Sequence, residues 1–222
     1  MTVPAHSLAL RAPWPEAHQE PAALAIEAAD PRATARTPSF LLLAVAFTLS
    51  GFAMYAVVFS LMPLLNARGA APAAAAWALG LGGLGQTIGR TLFASFARRT
   101  TPPVRTVVLV AAGGLATALL AAVPGPLPLL VAIAVLAGTV RGNLTLLQAT
   151  AVTDRWGTAA YGRLSGLLGA PATIAGALAP WAAAALAPPL GGYPQLFLLL
   201  AALSGLAALL AALPAGARPL PT

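Results

Sequence analysis

The stretch LPLLVAIAVLAGTVRGNLTLLQATA, residues 127–151, carries a single charge, Arg141. Apolar runs of about 20 residues read as membrane-spanning helices, since that length at about 1.5 Å per residue crosses the hydrocarbon layer. A guanidinium at that depth costs roughly 2.5–3.5 kcal/mol on insertion scales, so it is expected to face a cavity, another helix or an anion rather than lipid. The only acid after Asp30 is Asp154. It lies about 20 Å away along a continuous helix, too far to pair locally. An unpaired intramembrane arginine points to membrane transport.

The rest of the chain has the same character. It is 59% hydrophobic and only 8% charged, with a mean hydropathy of +0.85. A soluble domain carries about 25% charged residues, so the lipid bilayer is the expected solvent and first partner. The pI of 11.5 could suggest nucleic acid. The twelve basic residues, however, are scattered between apolar spans with no patch of interleaved aromatics, and nucleic acid is not an expected partner. There is no lysine, which excludes a GxxxxGK[ST] phosphate loop and a Schiff-base lysine. There is no cysteine, hence no disulfide or thiolate metal site. Both histidines, His6 and His18, lie in the polar N-terminal stretch, away from the apolar spans. No catalytic set, cofactor or metal site is expected, and the chain is not read as an enzyme.

Residues 1–38 hold four of the five acids and prolines at 4, 13, 15, 21, 31 and 38. They read as a flexible cytoplasmic tail, with a helical turn or two around Ala22–Ala29. They lack the apolar core of a secretory signal. Six spans follow in residues 39–213: about Ser39–Leu65, Ala70–Phe96, Val104–Val123, Leu127–Ala151, Gly162–Ala187 and Tyr193–Leu213. Residues 214–222 form a short cytoplasmic tail. The expected fold is an all-α integral membrane bundle of six transmembrane helices. Arg32, Arg36, Arg98, Arg99, Arg105, Arg155, Arg163 and Arg218 fall on one side of this arrangement, against Arg68 alone on the other. The positive-inside rule then places both termini in the cytoplasm, with the chain in the cytoplasmic (inner) membrane.

Within the spans, Gly85–Gly89, Gly138–Gly142 and Gly162–Gly166 are GxxxG pairs, which let helix backbones approach closely and read as packing surfaces. The run Gly80–Gly85 matches a dinucleotide fingerprint only superficially, because it follows no strand and lies inside an apolar span. Pro63, Pro171 and Pro180 are expected to kink or break their helices. Gly138, Arg141, Thr145 and Gln148 recur at offsets of three and four, giving a polar stripe expected to line the bundle interior or a cavity. Two readings of Arg141 stay open: hydrogen bonding to carbonyls or a neighbouring helix, or anion-binding and gating duty. Thr48, Gly51 and Tyr55 form a weaker stripe that reads chiefly as core packing. Arg90 reads either as a positive-inside anchor or as part of a gate.

The sequence Gln86-x-x-Gly89-Arg90, followed by Arg98-Arg99, resembles the Gly/Arg motif after the second helix of each half of major facilitator superfamily permeases. The stretch Asp154–Gly166 resembles the Gly-rich passage joining that family's tenth and eleventh helices. The resemblance covers about Arg36–Leu213 and is to the C-terminal half, with residues 1–38 similar to the central cytoplasmic loop. It implies two inverted three-helix repeats, with substrate bound near the midplane. Ala44–Gly51 and Ala132–Gly138 give a faint echo of such a repeat. The aspartate usual in the Gly/Arg motif is absent, Gln86 and Thr87 standing in its neighbourhood. The family has twelve helices, so the first half is a separate protein, two copies pair as a homodimer, or the reading frame is a fragment.

These readings converge on a secondary transporter, or half of one, moving a small organic solute by alternating access. Arg141 favours an anion such as a monocarboxylate, with Thr145, Gln148 and Tyr55 as neighbouring substrate-binding or gating groups. Gln86, Gly89, Arg90, Arg98 and Arg99 are the expected cytoplasmic gate motif. A second reading stays open, in which the chain is a non-transporting membrane protein, either a truncated remnant or a subunit that binds another membrane protein.

Overall fold

Prolines mark where the long helices begin. Pro38, Pro72, Pro102, Pro128 and Pro194 each stand in a first helical turn, where a missing N–H removes no helical bond. Thr37 caps the first long helix, its hydroxyl accepting from the Phe40 amide at 3.3 Å. The computed structural model describes residues 31–213. These form α1 (Pro31–Ala35), α2 (Pro38–Ala67), α3 (Pro72–Arg99), α4 (Pro102–Ala122), α5 (Leu127–Thr150), α6 (Thr153–Trp156), α7 (Tyr161–Leu190) and α8 (Tyr193–Ala212). Among the described residues there is no strand.

Five helices, α2, α4, α5, α7 and α8, are long and apolar enough to cross a membrane. The sixth long helix, α3, has 28 residues but is diluted by glycines, Gln86, Thr87 and Arg90, and falls short on apolarity. Its small residues serve another purpose. The most extensive helix pairing in the molecule is α3 on α5, and glycines make it possible. A Cβ at Gly138 would stand 1.9 Å from the Gly82 carbonyl oxygen, and one at Gly142 would stand 2.1 Å from that of Gln86. From the other side, a Cβ at Gly85 or Gly89 would stand 2.3 or 2.0 Å from the carbonyl oxygens of Val135 and Thr139. Two of the three GxxxG pairs therefore form the two sides of one seam. The third does not: Gly162 and Gly166 have open space where a Cβ would go.

The next most extensive pairs are α4 on α8 and α2 on both α7 and α8. Together they enclose two apolar cores. One contains Leu61, Leu64, Leu65, Leu120, Leu130 and Phe197, near the C-terminal ends of α2 and α4. The other contains Phe40, Phe47, Phe93, Leu147, Val152 and Leu168, at the opposite end of the bundle. Between them lies a level of buried hydroxyls, Ser50, Thr117 and Ser204, on α2, α4 and α8. Each hydroxyl is satisfied by a carbonyl of its own helix, as burial demands.

The structure departs from the sequence reading in three places. The segment assigned to a flexible tail is helical from Pro31 to Ala35, with Thr34 buried; residues 1–30, including the turns expected around Ala22–Ala29, and residues 214–222 lie outside the described residues. Helix α2 continues through Pro63 and α7 through Pro171 and Pro180, so none of the three breaks its helix. Each proline removes one backbone bond, which packing against neighbouring helices outweighs. Helix α7 also passes Pro188 and Pro189 to end at Leu190. Gly191 at φ +95° and Gly192 at φ +120° stop it, and the Gly192 amide returns to the Ala187 carbonyl at 2.8 Å. Positive φ costs glycine little, so the break falls there rather than at the prolines.

Candidate functional site

A cavity of about 440 Å³ lies between α2 and α7, closed at one side by Gln148 of α5. From α2 it receives Phe47, Gly51, Tyr55 and Phe59, residues one helical turn apart that form a continuous ridge. From α7 it receives Ser165, Gly169, Thr173 and Gly176 among others. The Tyr55 ring lies against Gly176, where a Cβ would come within 2.7 Å of it. Gly169 opens into free space. The Ser165 hydroxyl is buried and has no hydrogen-bond partner. A buried hydroxyl without a partner is costly, so this group is poised to bond a ligand or water. The lining is otherwise aromatic and small, with no charged side chain.

The stripe expected on α5 divides among several neighbours. Its members spread over an arc of about 80° at 3.6 residues per turn, and different helices cover that arc. Gly138 is buried against α3. Arg141 lines a separate cleft of about 50 Å³ with Ser50, Met54, Thr117 and Ser204, at the polar level between the two cores. Thr145 turns its hydroxyl back to the Gly142 carbonyl at 2.8 Å. Gln148 reaches the larger cavity. Helix α2 separates the two spaces: Gly51 and Tyr55 line the larger cavity, and Ser50 and Met54 line the Arg141 cleft. Gly51, expected to serve core packing together with Tyr55, also lines the cavity; Thr48 bonds the Ala44 carbonyl at 2.7 Å.

Arg141 has no hydrogen bond or ion pair among the described residues, and its Nε is buried and unsatisfied. The sequence contains one candidate acid in residues 31–213, Asp154, and that carboxylate is paired with Arg105. The residues of the expected gate motif are dispersed. Gln86 and Gly89 contribute backbone to the α3–α5 seam, Arg90 lies beside Gly142, and Arg98 and Arg99 are exposed at the end of α3.

A compact ionic cluster, not anticipated from the sequence, joins α4 to α6. Arg105, 5% exposed, pairs with Asp154, donates to the Ala97 carbonyl at 3.3 Å and stacks 5.6 Å over the Phe93 ring. Arg155 donates to the Thr106 hydroxyl at 2.7 Å and to the Pro102 carbonyl at 3.3 Å. Burial lowers the Arg155 pKa, Asp154 opposes that shift and Arg105 adds to it; a guanidinium so placed still keeps its charge. Phe40 and Trp156 complete the contact with ring centroids 5.3 Å apart. The cluster ties the α3–α4 junction to the α5–α7 junction. A signal was present in the sequence, since Asp154 is the one acid near Arg155 and Arg105, but only the fold selects between them.

A bundle of long apolar helices, crossed by a polar level and holding an unpartnered arginine beside a cavity, defines an integral membrane protein of the transporter class. The family model described as Major Facilitator Superfamily matches residues 37–221, and the chain belongs to that family. No curated protein matches the chain significantly.

Proposed function

We propose that this chain is a secondary transporter, or half of one, carrying a small organic solute by alternating access, with the solute space formed by the α2–α7 cavity together with the separate cleft that Arg141 lines. In this reading α3 completes six spans, the spans form two inverted three-helix repeats, and both termini face the cytoplasm of the inner membrane. The observation that carries the proposal is Arg141, a half-buried guanidinium in a spanning helix with no partner among the described residues. A cation held at bilayer depth is stabilised by a ligand that neutralises it, which favours an anionic solute. Tyr55 and Gln148 would orient that solute. Arg90, Arg98 and Arg99, with Gln86 and Gly89, would organise the cytoplasmic gate. The test is uptake of labelled organic anions into proteoliposomes holding the full chain, alone and with a candidate first half. Arg141→Gln is expected to abolish uptake without changing the mass of the complex; uptake unaffected by the substitution refutes the assignment.

A second reading is favoured by a separate observation. Gly162 and Gly166 open onto free space, and Trp77 and Trp181 are more than two-thirds exposed at 71% and 73%. Such faces on α3 and α7 suit another membrane subunit, either a second copy or a separate half. If assembly is the whole function, Arg141→Gln disrupts the complex and no solute is transported.

A further inference from the structure

The glycine seam brings Arg90 of α3 level with Arg141 of α5. Arg90 and Arg141 each lie nine residues before the last residue of their helices, α3 and α5, which run parallel in register. Both therefore sit about 13.5 Å in from the helix ends. The helices are in backbone contact at this level, where a Cβ on Gly142 would come within 3.1 Å of the Arg90 amide nitrogen. Arg90, exposed on α3, lies within electrostatic reach of the half-buried Arg141. Neither guanidinium has a hydrogen bond or ion pair among the described residues, and Asp154, the one acid in residues 31–213, is engaged by Arg105.

We propose that Arg90 and Arg141 form a two-guanidinium site, and that the solute carries a dianionic group, such as a dicarboxylate or a phosphate ester, rather than a single carboxylate. The inference rests on the anion-binding reading of Arg141 and extends it to Arg90. Two like charges held together in a poorly polarisable medium repel, and a monoanion would leave one of them uncompensated. A dianion neutralises both and gives each fork of N–H donors an oxygen acceptor. Arg90 is then a substrate-binding residue in addition to any role in the gate.

The test is equilibrium binding to the full chain in nanodiscs of zwitterionic lipid, with succinate, inorganic phosphate and propionate as probes. Succinate and phosphate are expected to bind at least roughly tenfold more tightly than propionate, the gain typical of an added hydrogen bond to a charged group. Arg90→Gln should remove that preference, weakening succinate and phosphate roughly tenfold more than propionate, and Arg90→Lys should restore most of it by returning the charge. Arg141→Gln should abolish binding of all three. An unchanged preference in Arg90→Gln, equal affinities in the native chain, or no saturable binding of succinate or phosphate overturns the paired site. Should propionate binding still depend on Arg141 in those cases, the simpler anion reading survives; binding indifferent to Arg141 removes both. Loss of succinate binding when phosphatidylglycerol replaces the zwitterionic lipid assigns the pair to a lipid phosphate and overturns the solute assignment.

Discussion

Asp154 and Arg105 show how one side chain fixes a junction. Their side chains are 26% and 6% exposed, so the pair is largely removed from water. Removing one partner of a buried pair leaves the other charge uncompensated, at a cost of about 3 kcal/mol. Asp154→Asn should therefore lower the melting temperature in detergent sharply, and adding Arg105→Gln should recover much of the loss; a purely additive double mutant would refute the coupling. Ser165 behaves oppositely. Its hydroxyl is buried without a partner, so Ser165→Ala should leave stability unchanged or raise it by about 1 kcal/mol. If the hydroxyl serves a solute, the same substitution weakens solute binding roughly threefold to tenfold, measured by titration. A stability loss on Ser165→Ala would mean that the hydroxyl has a structural partner. At this scale the sequence exposed Arg141 as a residue needing an explanation, because charge in an apolar run is visible without a fold. It could not expose Ser165, since a serine in a helix reads the same whether it is satisfied or orphaned.

Three GxxxG pairs look alike as strings and differ as elements. Gly138 and Gly142 press on carbonyl oxygens of α3, whereas Gly162 and Gly166 face open space. Gly138→Ala must force α3 and α5 apart, and overpacking of this kind costs about 1–3 kcal/mol or more. Gly166→Ala should be neutral or stabilising by up to about 1 kcal/mol in the isolated chain, since alanine favours the helix. Thermal melting of the two variants, followed by circular dichroism in the same detergent, separates them. Equal destabilisation would mean that the third pair is also buried against a neighbour, as in a copy or partner assembled on α7. The prolines carry the same lesson: five lie inside α2 and α7, and neither helix ends at one, because packing supplies what the lost bonds do not.

Over the whole molecule, two apolar cores are separated by a polar level that holds Ser50, Thr117, Ser204 and the Arg141 cleft. The proposed six spans with cytoplasmic termini predict an alternating topology. Alkaline phosphatase fused after Gly69, Gly125 or Gly191 should be active, and fusions after Thr100 or Gly157 should be inactive. Activity at Thr100 would show that α3, the least apolar long helix, does not span. The assembly prediction follows from the exposed faces of α3 and α7: native mass measurement in nanodiscs should give a complex of two copies of the 22.1 kDa chain, or of one copy with a separate half. A monomer that transports would refute the need for a partner.

The sequence by itself determined that this is a bundle of membrane helices, where the helices begin, and that Arg141 is a lone charge inside an apolar span. Composition and the first-turn prolines act through solvation and local backbone geometry, which need no knowledge of neighbours. The tertiary structure alone decided which glycines touch, that Gln148 and Arg141 open into different spaces, that Asp154 is taken by Arg105, and that the Arg90 backbone packs against Gly142. Those facts depend on which helix faces cover one another, and in a chain so rich in alanine, leucine and glycine many pairings look equally good until close packing and the few polar groups select one.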